Sequence, residues 1–484
     1  MKKIFTFILA FVLAAPAFAA VYNVKDYGAK GDGKTIDSPA INKAIQAASK
    51  NGGGVVYLPT GTYASYSIRL ASHITFYIEK GATLLAATPV NGKGFDDGEP
   101  FSGREYQDYG HSHWHNSLLW GIGLEDITFC GGGVIDGKGL TAGYADTAIG
   151  NGMGNKAIAL KECRKIVIKD LTMYRCGHFC LLATGVDNMV IRDIIIDSQR
   201  DGLDIDCCLN TVVSGCIVNT PWDDGIVLKA SYGLNRYKDT ENVTISDCII
   251  SGYEVGSVLD GTRRIAKNSN SDLHRDHEGF GRIKFGTESS GGFKNITVTN
   301  CTFEHSGGFY LESEDGGLLE DVTISNCTMR DCSESVLFMR LGSRMRSPEG
   351  IPVGSIKRVL ISDINSYDGA SEFPILISGI PGHDIKDITM RNIHINCKGG
   401  LDPEKALKVV PEKETAYPDP SMFGGAMPAK GMYLRHIDGI IFDGMYFSYN
   451  NEDTRPLVVK EDVKDALFRN ITLDRKDVTA TLYK

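Results

Sequence analysis

Short stretches in which apolar and polar residues alternate recur along most of the chain. Each stretch opens on a polar residue, continues with Val, Ile, Met or Thr at alternate positions, and closes on Asp, Asn or Gly before an apolar residue. Eight copies span residues 165–171, 188–194, 210–216, 242–248, 295–301, 321–327, 358–364 and 387–393. Branched residues in strict alternation, bounded by turn formers, predict short β-strands rather than helices.

The spacing of these units predicts how the strands are arranged. The first three units begin at Lys165, Asn188 and Asn210, so their starts are 23 and 22 residues apart. The later steps of 32, 53, 26, 37 and 29 residues fit the same unit with loops inserted. One strand-turn unit cannot bury its apolar side alone and does so by stacking on its neighbours. We therefore expect an all-β fold, a single-stranded right-handed parallel β-helix with one coil per unit, forming one domain over residues 21–484.

Residues 37–50 are the main exception to the strand pattern. Ile41, Ala44, Ile45 and Ala48 recur at helical spacing, behind an Asp-Ser-Pro start and before Asn51-Gly-Gly-Gly. The end of a solenoid would otherwise expose unpaired strand edges. This segment is therefore predicted to be an N-terminal capping helix.

The first twenty residues differ in composition from the rest. Two Lys residues precede an apolar run from Ile4 to Val12, and small residues follow at Ala17 and Ala19. This pattern predicts a secretory signal peptide over residues 1–20 and an exported protein, periplasmic or secreted. No later stretch approaches the roughly 20 apolar residues of a membrane helix.

Charge and cysteine content narrow the possible partners. The chain has 51 Lys and Arg against 60 Asp and Glu, a net charge of −9, which argues against nucleic acid and anionic membranes as partners. Four of the twelve Cys, at positions 216, 248, 301 and 327, occupy one position of the repeat. Stacked interior thiols explain this pattern better than disulfides, because Cys is among the most buried residue types.

The densest run of acids in the repeat is Asp201-Gly-Leu-Asp-Ile-Asp206, followed one coil later by Trp222-Asp223-Asp224-Gly225. Neighbouring rungs lie about 4.8 Å apart, so the carboxylates of Asp201 and the Asp pair are expected to converge. Clustered acids raise one another's pKa, and glycoside hydrolysis requires a protonated acid beside an ionised base. For Asp204 and Asp206 the favoured interpretation is different, namely turn residues or a calcium site.

At these residues the chain resembles glycoside hydrolase family 28, the polygalacturonase family. Residues 26–33 and 52–63 resemble the capping coil of pectin-active β-helices, which lyases and phage proteins share, whereas Asp201 to Asp206 followed by Asp223-Asp224-Gly-Ile-Val-Leu-Lys229 is more particular to family 28. The resemblance implies an inverting hydrolase with Asp223 as general acid and Asp201 and Asp224 activating water. Inversion implies carboxyl groups roughly 6.5–9.5 Å apart.

The chain departs from the family pattern at two positions. The family's Gly-His-Gly on the next rung is matched to Tyr253-Glu254-Val255. The family's substrate-binding Arg-Ile-Lys corresponds to Tyr310-Leu-Glu312 when coils are counted, the stronger count, and to Arg282-Ile-Lys284 when residues are counted.

The predicted substrate-binding residues are therefore Lys229, Glu254, Arg282, Lys284, Tyr310 and Glu312. The expected partner is an acidic plant-cell-wall polysaccharide or its oligosaccharides, with a rhamnogalacturonan or a substituted or terminal galacturonate favoured over plain homogalacturonan. No cofactor and no metal are predicted, and the protein is expected to be a monomer.

Three further features have open interpretations. For His111-Ser-His-Trp-His115 the open interpretations are a sugar-contacting loop, a packed segment or, least favoured, a metal site. No matching set of Asp, Glu or Cys accompanies these histidines in the sequence. Arg340, Arg344 and Arg346 either bind a uronate carboxylate or lie in a solvated loop. His178 lies one rung before Asp201, where a structural role is the default.

Two other function classes stay open. A polysaccharide lyase or epimerase would require calcium and a basic group beside the acids. A non-catalytic polysaccharide-binding module would bind sugar without turnover, and a β-helix alone does not separate these classes.

Overall fold

The structure is a computed structural model that describes residues 20–100, 106–107, 109–143, 152–265 and 279–483. In these ranges the chain winds as a parallel β-helix with three strands per coil, so each strand pairs with strands one coil before and one coil after it. The predicted signal peptide lies outside the described residues except for Ala20, and its assignment stays a prediction.

The strands form three faces, numbered here in chain order.
The first face contains β1 (Val21–Asn23), β3 (Gly54–Leu58), β6 (Ile74–Ile78), β9 (Glu125–Cys130), β12 (Arg164–Lys169), β15 (Asp187–Arg192), β18 (Leu209–Ser214), β21 (Thr240–Ser246) and β24 (Phe293–Thr299).
The second face contains β2 (Asp32–Ile36), β4 (Gly61–Ser65), β7 (Ala82–Ala86), β10 (Val134–Asp136), β13 (Thr172–Tyr174), β16 (Ile195–Asp197), β19 (Ile217–Asn219), β22 (Ile249–Ser251) and β25 (Thr302–Glu304).
The third face contains β5 (Ile68–Arg69), β8 (Ser117–Ile122), β11 (Lys156–Lys161), β14 (Phe179–Thr184), β17 (Leu203–Asp206), β20 (Ile226–Ala230), β23 (Ile283–Ser289), β26 (Phe309–Ser313), β28 (Leu337–Leu341) and β30 (Ile375–Ser378).

Towards the C-terminus the strands lengthen and turn the corners between faces without interruption. These strands are β27 (Leu318–Arg330), β29 (Ser355–Gly369), β31 (Ile385–Gly399), β32 (Met432–Asn451) and β33 (Val458–Leu473), with the short antiparallel β34 (Lys476–Asp477) at the end.

The sequence repeat and the structural coil coincide. The second residue of every unit faces the core in one continuous ladder, from Ile166 through Met189, Thr211, Val243, Ile296, Val322 and Val359 to Ile388. The 53-residue step between the units at Asn242 and Asn295 leaves this register intact. Inserted residues therefore leave the coil as loops, as the spacing predicts.

The polar residue that opens each unit turns a corner of the coil. Asn188, Asn210, Asn242 and Asn295 have φ between 53° and 58°, the left-handed region that Asn tolerates better than most residues. Their amides also form a ladder, with Asn210 donating to Asn188 at 3.0 Å and Asn295 donating to Asn242 at 2.7 Å. Asn therefore recurs at this position because it fits the backbone and bonds to the next rung.

The N-terminal helix is confirmed as a cap. α1 (Ser38–Lys50) buries Ile41, Ala44, Ile45 and Ala48 against the first coil. The twelve cysteines are free thiols, and Cys216, Cys248, Cys301 and Cys327 are buried, as predicted. None of the helices in the described ranges has the length and apolar character needed to cross a bilayer.

One ladder on the third face points away from the core and positions the site. It runs from Trp120 through Ala159, Leu182, Asp204, Val227, Lys284, Tyr310, Phe338 and Leu376 to Tyr433. Residues 400–431 cross the C-terminal part of this ladder, and we call them the strap. The strap packs Val410, Phe423, Met427 and Ala429 against the buried Tyr310, Phe338, Leu376 and Tyr433.

Candidate active site

The three predicted acids lie where two neighbouring strands of the third face begin. Asp201 precedes β17, and Asp223 and Asp224 precede β20, which pairs with β17 in register. One carboxylate oxygen from each residue lies within 4.8 Å of one from each of the others. Asp201, Asp223 and Asp224 are only 3%, 8% and 3% exposed. The predicted convergence of these carboxylates is therefore present.

The closest oxygens are nearer than the separation expected for an inverting enzyme. Asp201 and the Asp pair lie on adjacent rungs, so the distance between them follows the rung spacing of about 4.8 Å. The range expected for inversion is roughly 6.5–9.5 Å between carboxyl groups. The spacing expectation is therefore not met by these oxygens, and the separation alone gives no support for inversion.

A glycine permits this close approach. A Cβ atom on Gly202 would lie 2.4 Å from the carbonyl oxygen of Gly225 on the next rung. The backbone amide of Gly202 donates to the carbonyl of Asp224 at 3.0 Å. Gly202 therefore lets the two acid-bearing segments pack directly on each other.

Each member of the Asp pair is held by a guanidinium. Arg200 donates to Asp223 from Nη2 at 2.6 Å and from Nε at 3.0 Å. Arg282 donates to Asp224 from Nε at 2.6 Å, and the Lys284 ammonium lies 3.7 Å from the same carboxylate. These are charge-assisted contacts in a site with little solvent, where they are stronger than at a surface.

Arg282 is fixed in place by two aromatic rings as well as by acids. Its guanidinium lies 4.6 Å from the Phe280 ring centroid and 4.5 Å from that of Tyr310. Glu334 is 3.7 Å away on another side. The side chain is 1% exposed. Arg282 therefore positions Asp224 from within a closed shell.

A buried lysine links the trio to further acids. The Lys229 ammonium lies 3.7 Å from Asp201, 3.2 Å from Asp204 and 3.5 Å from Glu288. It is also 2.6 Å from Nε2 of His111, which in turn lies 2.9 Å from Asp204. Lys229, predicted as a substrate-binding residue, thus forms the centre of an internal charge network.

The interpretation of Asp204 and Asp206 as turn residues is wrong. Both lie within β17 and are fully buried. Asp206 accepts hydrogen bonds from the amide and hydroxyl of Ser231, at 2.8 and 2.6 Å. Asp204 faces outward into the network around Lys229. The alternation of the strand, which places both on one side, was the sequence signal for this position.

The expectation that no acids accompany His111 also fails. His111, Asp201 and Asp204 offer donor atoms within 4.8 Å of one another, as do Asp201, Asp223 and Asp224. The Lys229 ammonium already lies against the first set. A protein cation therefore stands where a bound metal ion would be needed, so this donor set does not fit a metal.

The network separates the protonation behaviour of its acids. Burial, reinforced by the neighbouring Asp223 and Asp204, raises the pKa of Asp201 well above its usual value. Burial acts to raise the pKa of Glu288 too, but the charges of Lys229, His111, Arg344 and Arg346 together outweigh it and hold that pKa well below its usual range. Burial lowers the pKa of Lys229, and the carboxylates of Asp204, Glu288 and Asp201 more than reverse this. Asp201 is thus the acid of this network whose protonated form is favoured.

The carboxylates line a small cavity of about 50 Å³. His178 lines it on one side, and burial lowers the pKa of this histidine well below its usual value. Tyr417 of the strap lines it on another side, with its hydroxyl 3.4 Å from Lys284. The cavity is thus lined by residues that are far apart in the sequence.

The structure does not bring Glu254 to the carboxylates. Glu254 is half exposed and pairs with Arg264 at 2.9 Å. The strand register places Phe280, rather than Glu254, beside Asp223, because Ile283 pairs with Ile226 and the amide of Gly281 donates to the Asp223 carbonyl. The sequence match to Tyr253-Glu254-Val255 did not identify Phe280, because an insertion separates β22 from the segment that lies beside Asp223. A substrate-binding role for Glu254 stays a prediction.

The two candidate positions for the family's basic motif lie on consecutive rungs. Arg282 and Lys284 touch the Asp pair directly, whereas Tyr310 and Glu312 lie one rung further on. Tyr310 donates to Glu334 at 2.5 Å beneath the strap. Burial raises the pKa of Glu312 to about 7, although Lys284 lies 3.5 Å away. The count by residues, not by coils, therefore locates the cations nearest the acids.

The arginine cluster is neither a solvated loop nor a lining of the cavity. Arg340 is buried and donates to the strap carbonyls of Glu412 and Lys413 at 2.9 and 3.1 Å. Arg344 forms a bidentate pair with Asp315. Arg340 thus fixes the strap.

Among the charged and aromatic residues that line the cavity, sequence reasoning missed Arg200, Glu288, Tyr417 and, as a partner of the acids, His111. Arg200 had a usable signal, since it adjoins Asp201. The other three arrive from loops or from another rung, and no local spacing indicates them.

The chain is similar to known proteins in both sequence and structure. The family model described as rhamnogalacturonase A/epimerase, pectate lyase-like, matches residues 21–257. A probable polygalacturonase of Vitis vinifera is 27% identical over 307 residues, which cover 58% of this chain and 60% of that protein. The chain therefore matches less than two thirds of that relative's length.

Two solved structures share the fold. An exopolygalacturonase from Thermotoga maritima superimposes with a TM-score of 0.61 at 20% identity, covering 78% of this chain and 87% of its own. A family 28 exopolygalacturonase from Yersinia enterocolitica does so with a TM-score of 0.60 at 17% identity, covering 96% and 80%. The two structures show that the chain has the parallel β-helix fold, and the family model and the Vitis vinifera protein show that its sequence is similar to those of rhamnogalacturonases and polygalacturonases.

Proposed function

We propose that the protein is an exported, monomeric glycoside hydrolase that cleaves α-linked, galacturonic-acid-containing pectic polysaccharide or its oligosaccharides. The observation that carries the proposal is the meeting of Asp201, Asp223 and Asp224 within 4.8 Å at a small cavity. Their unequal surroundings supply both the protonated and the ionised carboxyl that glycoside hydrolysis requires.

In the proposed reaction the glycosidic C–O bond breaks and a water oxygen bonds to the anomeric carbon. One carboxyl of the trio protonates the leaving oxygen, and another accepts the proton of the water, so the charges balance. The Arg200 and Arg282 guanidiniums hold the side chains of Asp223 and Asp224 in place. The raised pKa of Asp201 makes it the proton holder of the resting enzyme.

This differs from the role that the family resemblance implies, in which Asp223 donates the proton. Both assignments use the same three residues and the same overall reaction. They differ in which variant loses proton donation, and that difference is measurable with leaving groups of different basicity.

The substrate proposal rests on the cations around the cavity. Arg200, Lys229 and Lys284 line it, and guanidinium and ammonium groups bind carboxylates. Each also has a protein carboxylate as a partner. This internal pairing differs from an open basic surface. The preference for a rhamnogalacturonan or a terminal or substituted galacturonate over plain homogalacturonan rests on the departures from the family's Gly-His-Gly and Arg-Ile-Lys motifs.

The test is product analysis by chromatography and mass spectrometry. The parent, Asp223→Asn and the control Asp193→Asn, which changes a largely exposed acid of a neighbouring corner, are incubated with homogalacturonan and rhamnogalacturonan oligosaccharides. We expect saturated products from the parent and the control, and none from Asp223→Asn. Absence of products from every substrate would refute the proposal.

The same experiment separates the alternatives. The matched family model is described as pectate lyase-like, so a lyase is one alternative. A lyase would give unsaturated products that absorb in the ultraviolet, and it would lose activity with a chelator. A binding module would retain oligosaccharides without turnover. Proton NMR of the first-formed anomer tests the inversion that the family resemblance implies.

A further inference from the structure

A concave surface lies on the second face, near the C-terminal end of the coil and away from the carboxylates. Its volume is about 620 Å³, within the roughly 300–1,000 Å³ that is typical of small-molecule sites. Residues of β29, β31 and β32 and of the end of the last coil line it. We call this surface, lined among others by Tyr367, His394, Tyr446, Asp474 and Arg475, the tyrosine trough.

The tyrosine trough is separate from the candidate active site. β31 is the fifth strand of the second face after β19, the strand that leads into Asp223 and Asp224. At about 4.8 Å per rung, His394 therefore lies roughly 24 Å along the helix axis from the acids. A substitution in the trough thus leaves the carboxylates and their partners untouched.

Three rings line the trough, one from each of three consecutive rungs. Strand alternation turns them outwards, since Ile393 and Ile395 on either side of His394 are buried. His394 pairs with Tyr446 in the strand register, and their ring centroids are 4.3 Å apart. Tyr367 and Tyr446 are 46% and 44% exposed. Exposed rings grouped in one concave surface indicate a binding site, whereas scattered exposed residues do not.

Polar groups lie next to the rings. Asn396 and Ser448 lie two positions beyond the ring pair on the same strands, and Asn396 donates to Ser448 Oγ at 3.1 Å. Arg475 stands at the end of the trough and has no ion-pair partner among the residues that the structure describes. Asp474 beside it adds a carboxylate. The trough therefore offers flat apolar faces together with amide, hydroxyl, carboxylate and guanidinium groups.

A sugar chain complements this set of groups. The ring C–H groups of a sugar pack on the faces of Tyr and His side chains, and its hydroxyls bond to amide and carboxylate groups. The Arg475 guanidinium adds a binding group for a carboxylate, which is the charged group of a uronate. A uronate-containing oligosaccharide segment therefore fits the trough better than a purely apolar ligand does.

We propose that the tyrosine trough is a second, non-catalytic binding site for the pectic polysaccharide. The class of sugar rests on the proposed function. A polymer held in the trough keeps its neighbouring segments at a raised local concentration near the carboxylates. The trough therefore assists action on polymers and not on short oligosaccharides, which do not span both sites.

Affinity electrophoresis tests the binding without turnover. Proteins that carry Asp223→Asn, alone or with Tyr446→Ala or Arg475→Met, migrate through native gels with increasing amounts of homogalacturonan or rhamnogalacturonan. We expect each second substitution to weaken the affinity for at least one polymer about tenfold, because it removes a stacking ring or a carboxylate-binding group. The matched controls Ile441→Ala and Arg469→Met remove exposed side chains of β32 and β33 outside the trough and should leave the affinity unchanged. Equal affinity of all variants, or no retardation of any, would overturn the proposal.

Kinetics without the Asp223 substitution provide the second arm. We expect Tyr446→Ala to raise KM for the polymer severalfold, with kcat on the polymer and kcat/KM on a trisaccharide unchanged. An equal loss on both substrates indicates a structural effect and contradicts the proposal. A parent dimer that Tyr446→Ala dissociates, measured by sedimentation, would assign the trough to a second copy of the chain and overturn the proposal as well. If the parent cleaves no pectic substrate, the hydrolase function fails, and the gels still decide whether the trough binds the polymer.

Discussion

Lys229 offers a quantitative test of the charge network, through the substitution Lys229→Met. The ammonium lies 3.7 Å from Asp201 and favours the ionised form of that acid. Two unit charges about 4 Å apart, in surroundings with an effective dielectric constant of about 20, interact by about 4 kcal/mol. At 1.36 kcal/mol per unit this corresponds to about three units of pKa. Proton uptake by Asp204 and Glu288 would absorb part of that effect.

We therefore expect the pKa of Asp201 to rise by about one to three units in Lys229→Met. If Asp201 must be protonated for reaction, the descending alkaline limb of the kcat/KM profile moves to higher pH by the same amount. The assay is the pH dependence of kcat/KM on an oligosaccharide substrate. Because a change in buried charges makes stability depend on pH, the folded fraction of each variant is measured over the same pH range and kcat/KM is corrected for it.

The matched control is Lys464→Met, which removes an exposed ammonium paired with Asp384 far along the coil. It should leave both limbs unchanged. An alkaline limb of Lys229→Met that stays at the parent position, or moves to lower pH, would refute the assignment of Asp201 as the proton holder.

The remaining predictions concern proton donation, stability and thiols. If Asp201 donates the proton, the kcat of Asp201→Asn should fall about 10²- to 10⁴-fold on natural substrates but far less on aryl glycosides with good leaving groups. If Asp223→Asn shows this pattern instead, Asp223 is the proton donor, as the family resemblance implies. Arg455→Met removes the ion-pair partner of the buried Asp453 and the hydrogen-bond donor to three backbone carbonyls. It should lower the free energy of unfolding by about 3–5 kcal/mol in denaturant titrations. A decrease below about 1 kcal/mol would contradict a buried ion pair. Because all twelve cysteines are free and only Cys130 is partly exposed, alkylation of the native protein followed by mass spectrometry should modify at most one thiol, and a reductant should leave the melting temperature unchanged.

The coil was predictable because its determinants are local. The polar residue that opens each unit must adopt a left-handed corner, and the residue after it must fill the core, so both requirements recur in the sequence. The capping helix follows the same logic, with Ile41, Ala44 and Ile45 on one face. The acids of the trio were predictable because they lie one uninterrupted coil apart.

The loop residues that line the site were not predictable, because their positions depend on tertiary packing. His111 and Tyr417 are far from Asp201 in sequence and reach it through loops. The insertion before β23 also hid which residue lies beside Asp223. The match to the family's Gly-His-Gly indicated Glu254, whereas the strand register gives Phe280. Loop length cannot be read from an alternating pattern, since residues outside the coil do not follow it.

The tolerance of the coil for insertions has a consequence for how such β-helical proteins diversify. The 53-residue step that carries the loop before β23 leaves the pairing of Val243 with Ile296 unchanged. Stability and selectivity are thus encoded in different parts of the chain, the rungs and the loops. Natural variation can lengthen, shorten or exchange a loop without refolding the scaffold. For protein engineering, the rungs of Asp201 and Asp223 provide a fixed scaffold. Loops from relatives can be grafted onto this scaffold to change the proposed sugar specificity.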